Sequence, residues 1–475
     1  MIRKDYYPFI LIVGWSLLVH LPGITSPLKD YHAYRQCQTA SMARNYVRHG
    51  MHFFSPELDT EGPPVRAGTE FPIYSYLLAL LYKIFGIHEI LGRILSCLFA
   101  ASGAVFLYLF VRLRLGEQIA FWSAMVMCSI PIHIYFTRTV QPEPMALWAL
   151  LGFLYYSDRS WILALLLGAL APLLKLSFLY VLFPLWFFLG YEREGWKVLK
   201  NVRWIVLLAG ILILTESWYH YAKTASIIIL PLSAREHFEN LKPVLTWNLW
   251  RAQFVSRIPE LVFTYTGLLL AGFGLYHYGK QRSTRFFLCW AAASALYMPL
   301  LGEYGLIHRY TLLPLAPVAA VWIACGISAL RGRKQTSRRW RVFIALLVVG
   351  IPVHAALRIK HWYRVEHRYL DHLRETLARV SRPDDLVLVA THDKPIHLYY
   401  MDRFGFSIEP AHWGPGEVNG YLARGARFIL IPLEDNRNGL EEWQRYLAYN
   451  GQPVETNQDY WLYRMDGSGP LARQG

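Results

Sequence analysis

Acidic side chains are few in this chain, 33 Asp and Glu against 48 Lys and Arg, and charge of either sign makes up only 17% of its 475 residues. Cysteines are fewer still. The five (Cys37, Cys97, Cys128, Cys289 and Cys325) form no CxxC pair, and all but Cys37 lie in apolar runs. That excludes a disulfide framework and a zinc site as organising devices. There is no internal repeat and no low-complexity tract. No small-residue cleavage site follows the first apolar run, residues 6–21, so the run reads as a retained helix behind Arg3 and Lys4 rather than a secretory signal.

What the chain does have is apolar surface: 54% hydrophobic residues, 15% aromatic, and a mean hydropathy of +0.24. The apolar runs are about 17–22 residues long, enough to cross a hydrocarbon core as helices. Short basic connectors separate them. In a soluble protein the net charge of +15 would suggest nucleic acid. Here the basic residues sit between apolar spans in the positive-inside pattern, so no nucleic-acid partner is expected. The fold class is a polytopic α-helical membrane protein.

The spans fall at 6–21, 89–111, 118–136, 143–156, 161–174, 176–190, 204–221, 259–278, 286–301, 310–330 and 341–357, about eleven in all. The segment "EFPIYSYLLALLYKIFG" is left out, because 72–85 covers only about 21 Å as a helix. It is expected to lie along the outer surface within a long first loop, 22–87. With that choice the connectors 112–117, 157–160, 191–203, 279–285 and 331–341 share the cytoplasmic side. From residue 358 the character changes. "EHRYLDHLRETLARV" has helical spacing, and "DDLVLVATHD" and "ARFILIPLED" read as short strands, so 358–475 is expected to be a small α/β domain outside the membrane, beside a transmembrane domain of 1–357.

Ionisable residues gather in the outer loops: Asp30, His32, Arg35, Glu70, Arg138, Glu143, Lys175, His308 and Arg309, with Tyr310 opening a span. Charge at the membrane boundary is costly and usually has a partner or a task. Each residue has a plain reading. Asp30 suits a helix N-cap near Tyr31, and Glu70 and Glu143 precede helix starts where an acid meets the helix dipole. Arg138 reads as a surface charge and Arg309-Tyr310 as interface anchors. Lys175 stands out, since "LAPLLKLSF" carries no other charge and a helix break near Pro172 would aim its ammonium outward. The set, drawn from separate loops on one side, is what a single interfacial site requires.

Several segments resemble bacterial members of the GT-C glycosyltransferases, the family of protein O-mannosyltransferases and the aminoarabinose transferase of lipid A. They are "DYHAYRQCQTASMARNYVRHG", "GTEFPIYSYLLALLYKIFG", "RTVQPEP", "LLKLSF", "HRYTLLPLAP" and "IHLYYMDRFGF". The chain departs from the family pattern at Tyr31, at Phe71-Pro72-Ile73 and at Glu143, where relatives often carry Glu, Lys-Pro-Pro and Asp. The resemblance implies a GT-C fold with outer juxtamembrane helices, in a multi-pass protein of the bacterial inner membrane. It implies transfer of a sugar from a polyprenyl-phosphate donor to a hydroxyl of a lipid, glycan or protein acceptor outside the membrane. Asp30 is the expected base, with Glu70 and Glu143 as the other carboxylates. Lys175 and Arg309, backed by Arg35 and Arg138 and flanked by His308 and Tyr310, are expected to meet the leaving phosphate. One base and a direct displacement give inversion. No cofactor is expected; position 71 lacks the family's Lys, and a divalent metal is not implied by the residues present. A lipid-glycan flippase and a glycan polymerase or ligase using a diphosphate donor are the rival readings. A flippase would carry paired charges or broken helices near the midplane, whereas these charges collect at one face.

Overall fold

The computed structural model describes residues 6–226, 228–229, 247–332, 337–392, 394–410, 413–437 and 439–465. Arg3 and Lys4, part of the connector 331–341 and the end of the C-terminal segment lie outside the described residues.

The chain is a helical bundle with a small sheet at one end. α1 (Tyr7–His20), α2 (Ala33–His49), α3 (Ile73–Phe85) and α4 (Glu89–Leu115) come first. α5 (Glu117–Met127), α6 (Pro131–Phe136), α7 (Glu143–Tyr156) and α8 (Trp161–Leu174) follow, and further helices run at Leu179–Glu194, Val202–Thr224, Tyr265–Tyr278, Arg285–Leu300, Ala316–Arg331 and Arg338–Ile359. Among the described residues, Glu89–Leu115, Val202–Thr224, Arg309–Arg331 and Arg338–Tyr363 are long and apolar enough by themselves to cross a membrane. The short helix expected at the surface is α3, 13 residues ending at Gly86.

Two expected spans are not continuous. The run 118–136 divides into α5 and α6, because Pro131 holds Ile130 in an extended conformation (φ −87°, ψ 147°) that a helix cannot pass through. The run 259–278 begins inside a π-helix, Arg251–Phe263, that contains Pro259 and ends at Thr264 with φ 62°. From there Tyr265–Tyr278 departs at 94°. Proline removes a backbone donor and crowds the preceding turn, so the chain bends rather than extends.

The basic connectors gather at one end of the bundle. Arg114 in the last turn of α4 pairs with Glu192 at 2.6 Å and lies over the Phe286 ring, while Arg331 lies over Trp122 of α5. Those contacts join 112–117, 191–203, 279–285 and the start of 331–341. The opposite helix ends carry Glu89, Arg138, Glu143, Lys175 and Tyr310, and there the loops and the sheet collect.

In the first loop β1 (Glu57–Leu58) pairs antiparallel with β2 (Val65–Gly68), which pairs with β3 (Ile228–Ile229). The C-terminal sheet comprises β4 (Leu386–Ala390), β5 (Gly405–Ile408), β6 (Ala426–Pro432), β7 (Gln452–Thr456) and β8 (Tyr460–Arg464), in the order β5-β4-β6-β8-β7. β4 is parallel to β5 and β6, and β8 is antiparallel to β6 and β7. Period-two alternation gives the sheet two buried faces. Val387 and Val389 join the core shared with the bundle, whereas Leu388 and Ala390 pack in a separate core with Trp443 and Leu447.

Ion pairs join sheet and first loop. Lys29, fully buried, pairs with Asp371 at 2.7 Å, and Asp402 receives Arg44 and Arg48 of α2 at 2.9 and 2.7 Å. The backbone of Asp59 and Gly62 bonds both polar groups of Gly405 (3.0 and 2.7 Å), extending the sheet edge into the loop. A Cβ at Gly405 would lie 1.9 Å from the Val387 carbonyl oxygen, so only glycine permits this approach.

Candidate active site

At the loop end of the bundle lies a cavity of about 540 Å³, walled by Asp30, His32, Arg35, Glu70, Lys175 and Tyr310 among others. The far wall belongs to the C-terminal segment through Glu366, His367 and His392.

Local chain geometry delivers each group. α8 stops at Leu174, two residues beyond Pro172, and Lys175 follows in an extended conformation (φ −156°, ψ 102°). The loosened turn is tied down: Phe71 N–H donates to the Leu173 carbonyl at 2.9 Å, and the Tyr219 hydroxyl donates to the Pro172 carbonyl at 3.0 Å. The first of these bonds sets Glu70 beside Lys175. Glu143 stands in the first turn of α7, as expected. Glu70, however, lies ahead of the Pro72 cap of α3 and turns away from that helix to the cations.

Two acids and two cations therefore interleave. Arg35 reaches Glu70 at 2.8 Å and Glu143 at 3.7 Å; Lys175 is 3.4 Å from each. Both Lys175 distances exceed the ~2.7–2.9 Å of a close charge-assisted bond, and its ammonium also lies 5.2 Å from the centre of the Tyr310 ring. Burial opposes ionisation of Glu70, but Arg35 and Lys175 overcome it and hold its carboxyl down at about 2. Glu143 is 1% exposed and neither carboxylate oxygen has a hydrogen bond.

Asp30 is not the N-cap of α2. That position is His32, which makes no capping bond, and the Asp30 carboxylate points inward. Its Oδ2 accepts from Arg138 at 2.6 Å and Arg93 at 3.1 Å, and its Oδ1 accepts from Gln36 at 2.7 Å. Three donors occupy a carboxylate that takes about four; Asp30 belongs to the cavity wall, with its side chain fully buried. Arg138 is fully buried, so it is neither a surface charge nor a cavity cation; it holds Asp30. Arg309 also stands back from the cavity, with its guanidinium 5.5 Å from the rings of Tyr31 and Trp362, themselves stacked at 5.0 Å.

Sequence reasoning named His32 and His308 but passed over Arg93. His32 adopts left-handed backbone (φ 67°), costly for a side chain bearing a Cβ. Its Nε2 is 3.5 Å from His308 Nδ1, and its Nδ1 is buried with no partner. Burial, then the nearby Arg35 and Lys175, lower His32 to about 3. Burial, His32 and the same cations lower His308 to about 2. Both imidazoles are neutral at neutral pH. Arg93 was hidden as a charge inside a span. Among the described residues no three His, Cys, Asp or Glu side chains converge as metal ligands would.

The same arrangement of bundle and sheet occurs in solved glycosyltransferases. ArnT from Cupriavidus metallidurans, bound to undecaprenyl phosphate, superposes with a TM-score of 0.67 at 10% identity, covering 98% of this chain and 99% of that one. The chain has the GT-C glycosyltransferase fold. AglB, the oligosaccharyltransferase of Archaeoglobus fulgidus in complex with an inhibitory peptide and a dolichol-phosphate, gives 0.62 at 12% identity over 99% of this chain and 76% of its own. The arabinofuranosyltransferase AftD from Mycobacteria gives 0.53 at 12% identity, over 98% and 40%. The family model for dolichyl-phosphate-mannose-protein mannosyltransferase matches residues 67–220, the stretch of this chain that contains Glu70, Arg138, Glu143 and Lys175. No curated protein matches the sequence.

Proposed function

We propose that this protein is a multi-pass glycosyltransferase of the bacterial inner membrane that moves a sugar from a polyprenyl phosphate to an acceptor hydroxyl outside the membrane. The observation that carries the reading is the cavity itself, with a carboxylate on one wall and the Arg35 and Lys175 cations on another, at the end of a GT-C bundle opposite its basic connectors. About eleven spans, counting broken ones, leave residues 358–475 on the same outer side.

In this mechanism the acceptor oxygen attacks the anomeric carbon while the bond from that carbon to the phosphate oxygen breaks. Asp30, through Oδ1, takes the acceptor proton. The polyprenyl phosphate leaves with the bonding pair, and Lys175 and Arg35 meet the charge it gains. Glu70 and Glu143 keep those cations charged and in place, which makes them positioning residues. Arg309, one ring behind the wall, backs the phosphate side with Tyr310 and His308. The product is inverted. Charge stabilisation falls to these cations, so the reaction needs no metal and turnover survives a chelator. The acceptor is a lipid, glycan or protein that enters past the C-terminal segment.

The test is incubation of purified enzyme with a defined polyprenyl-phosphate sugar and envelope acceptors. Release of polyprenyl monophosphate with an inverted product is expected. Release of a diphosphate would assign the protein to the ligases, and transbilayer movement of donor without release to the flippases.

A further inference from the structure

A second cavity, of about 550 Å³, opens at the basic end of the bundle between α5, Ala316–Arg331 and Arg338–Ile359. Trp122, Ile327, Ile344 and Val348 give it an apolar floor, and Arg331 and Arg341 stand at its mouth. Arg331 and Tyr310 terminate one continuous apolar helix, Arg309–Arg331, so this groove is about 30 Å from the candidate active site, roughly one bilayer core away. No acidic residue lines it, and neither arginine has an acidic partner among the described residues. Arg331 is instead held by the face of Trp122, 5.6 Å away. Beside the groove Val342, Leu346 and Val349 are half exposed or more, as side chains facing lipid are.

We propose that this groove binds an anionic phospholipid of the leaflet opposite the active site. Two guanidiniums without an acidic partner among the described residues, above an apolar floor, match a phosphate above acyl chain in both charge and depth. A zwitterionic headgroup offers the same phosphate but adds a cation that the arginines repel.

Native mass spectrometry of the full-length protein, titrated with phosphatidylglycerol or phosphatidylcholine in detergent, tests this. Wild type should retain one phosphatidylglycerol, and Arg331→Gln/Arg341→Gln should weaken it roughly 10-fold or more. Val348→Trp, which fills the floor and keeps both charges, should weaken it too. Arg282→Gln, a basic residue of another connector, should not. Equal retention of phosphatidylcholine, unchanged binding in the double variant, or an equal loss in Arg282→Gln would each overturn the proposal.

Discussion

Asp30 bears two burdens, and its variants should show both. Asp30→Asn removes the proposed base, and turnover should fall by roughly two orders of magnitude or more. It also strips the counter-charge from Arg93 and Arg138, both fully buried, and breaking a buried pair costs about 3–5 kcal/mol. A lower melting temperature is therefore expected alongside the lost turnover. Arg93→Gln separates the two effects, since it should lower stability while keeping turnover within about ten-fold. A near-normal rate in folded Asp30→Asn would remove Asp30 as the base. Lys175→Ala is expected to raise the donor KM and lower kcat, because its ammonium meets a phosphate whose charge grows during the reaction. Arg309→Ala, one ring further back, should do less in the same assay.

At the scale of elements, the breaks in the helices supply the site. A continuous α8 would carry Lys175 onward along its axis, whereas the stop after Pro172 turns the ammonium toward Glu70 and Glu143. The carbonyl freed there is used by Phe71 N–H, and this backbone bond fixes Glu70 whatever side chain stands at 71. Pro172→Ala should lengthen α8 and reduce donor affinity more than stability, read by comparing donor KM with melting temperature. The edge strand β5 makes the other decisive junction. Gly405→Ala would force a Cβ into the Val387 carbonyl, at a cost of roughly 3 kcal/mol or more. Limited proteolysis should then cut the first loop and the C-terminal segment faster than in wild type.

The whole molecule stores charge in a buried, polar seam, and its stability should reflect that. His32 and His308 are depressed from 6.5 in the unfolded chain to about 3 and about 2. Their contribution is fully present above pH 6.5 and declines as pH falls through 6.5 toward those values, since the unfolded chain then binds protons that the folded one refuses. Glu70 adds the same sign below 4.5. Melting temperature should therefore drop on acidification from about pH 7, and His32→Phe should flatten the first part of that decline. A drop of equal slope in the variant would show that other groups dominate. For orientation, reporter fusions should place Gly116 in the cytoplasm and Asp385 outside. A cytoplasmic Asp385 would overturn the proposed sidedness.

What the sequence by itself determined is what short-range physics controls. Runs of apolar residues had to be helices, the short run at 72–85 gave the short helix α3, and alternation in "LVLVA" made a strand with two buried faces. Polar residues at the ends of apolar runs were legible as a set, and Asp30, Arg35, Glu70, Lys175, His308 and Tyr310 of that set line one cavity. Their partners were not legible. Arg93 lay within a span and Arg138 next to a helix end, and only the packing of α4 and the loop after α6 against the first loop brought both to one carboxylate oxygen. His32 acquired its place from a left-handed turn, and Arg309 lost its place in the cavity to the Tyr31 ring. Which charge meets which depends on contacts between residues far apart in the chain, 63 positions for Asp30 and Arg93 and 276 for His32 and His308, and no local pattern encodes those distances.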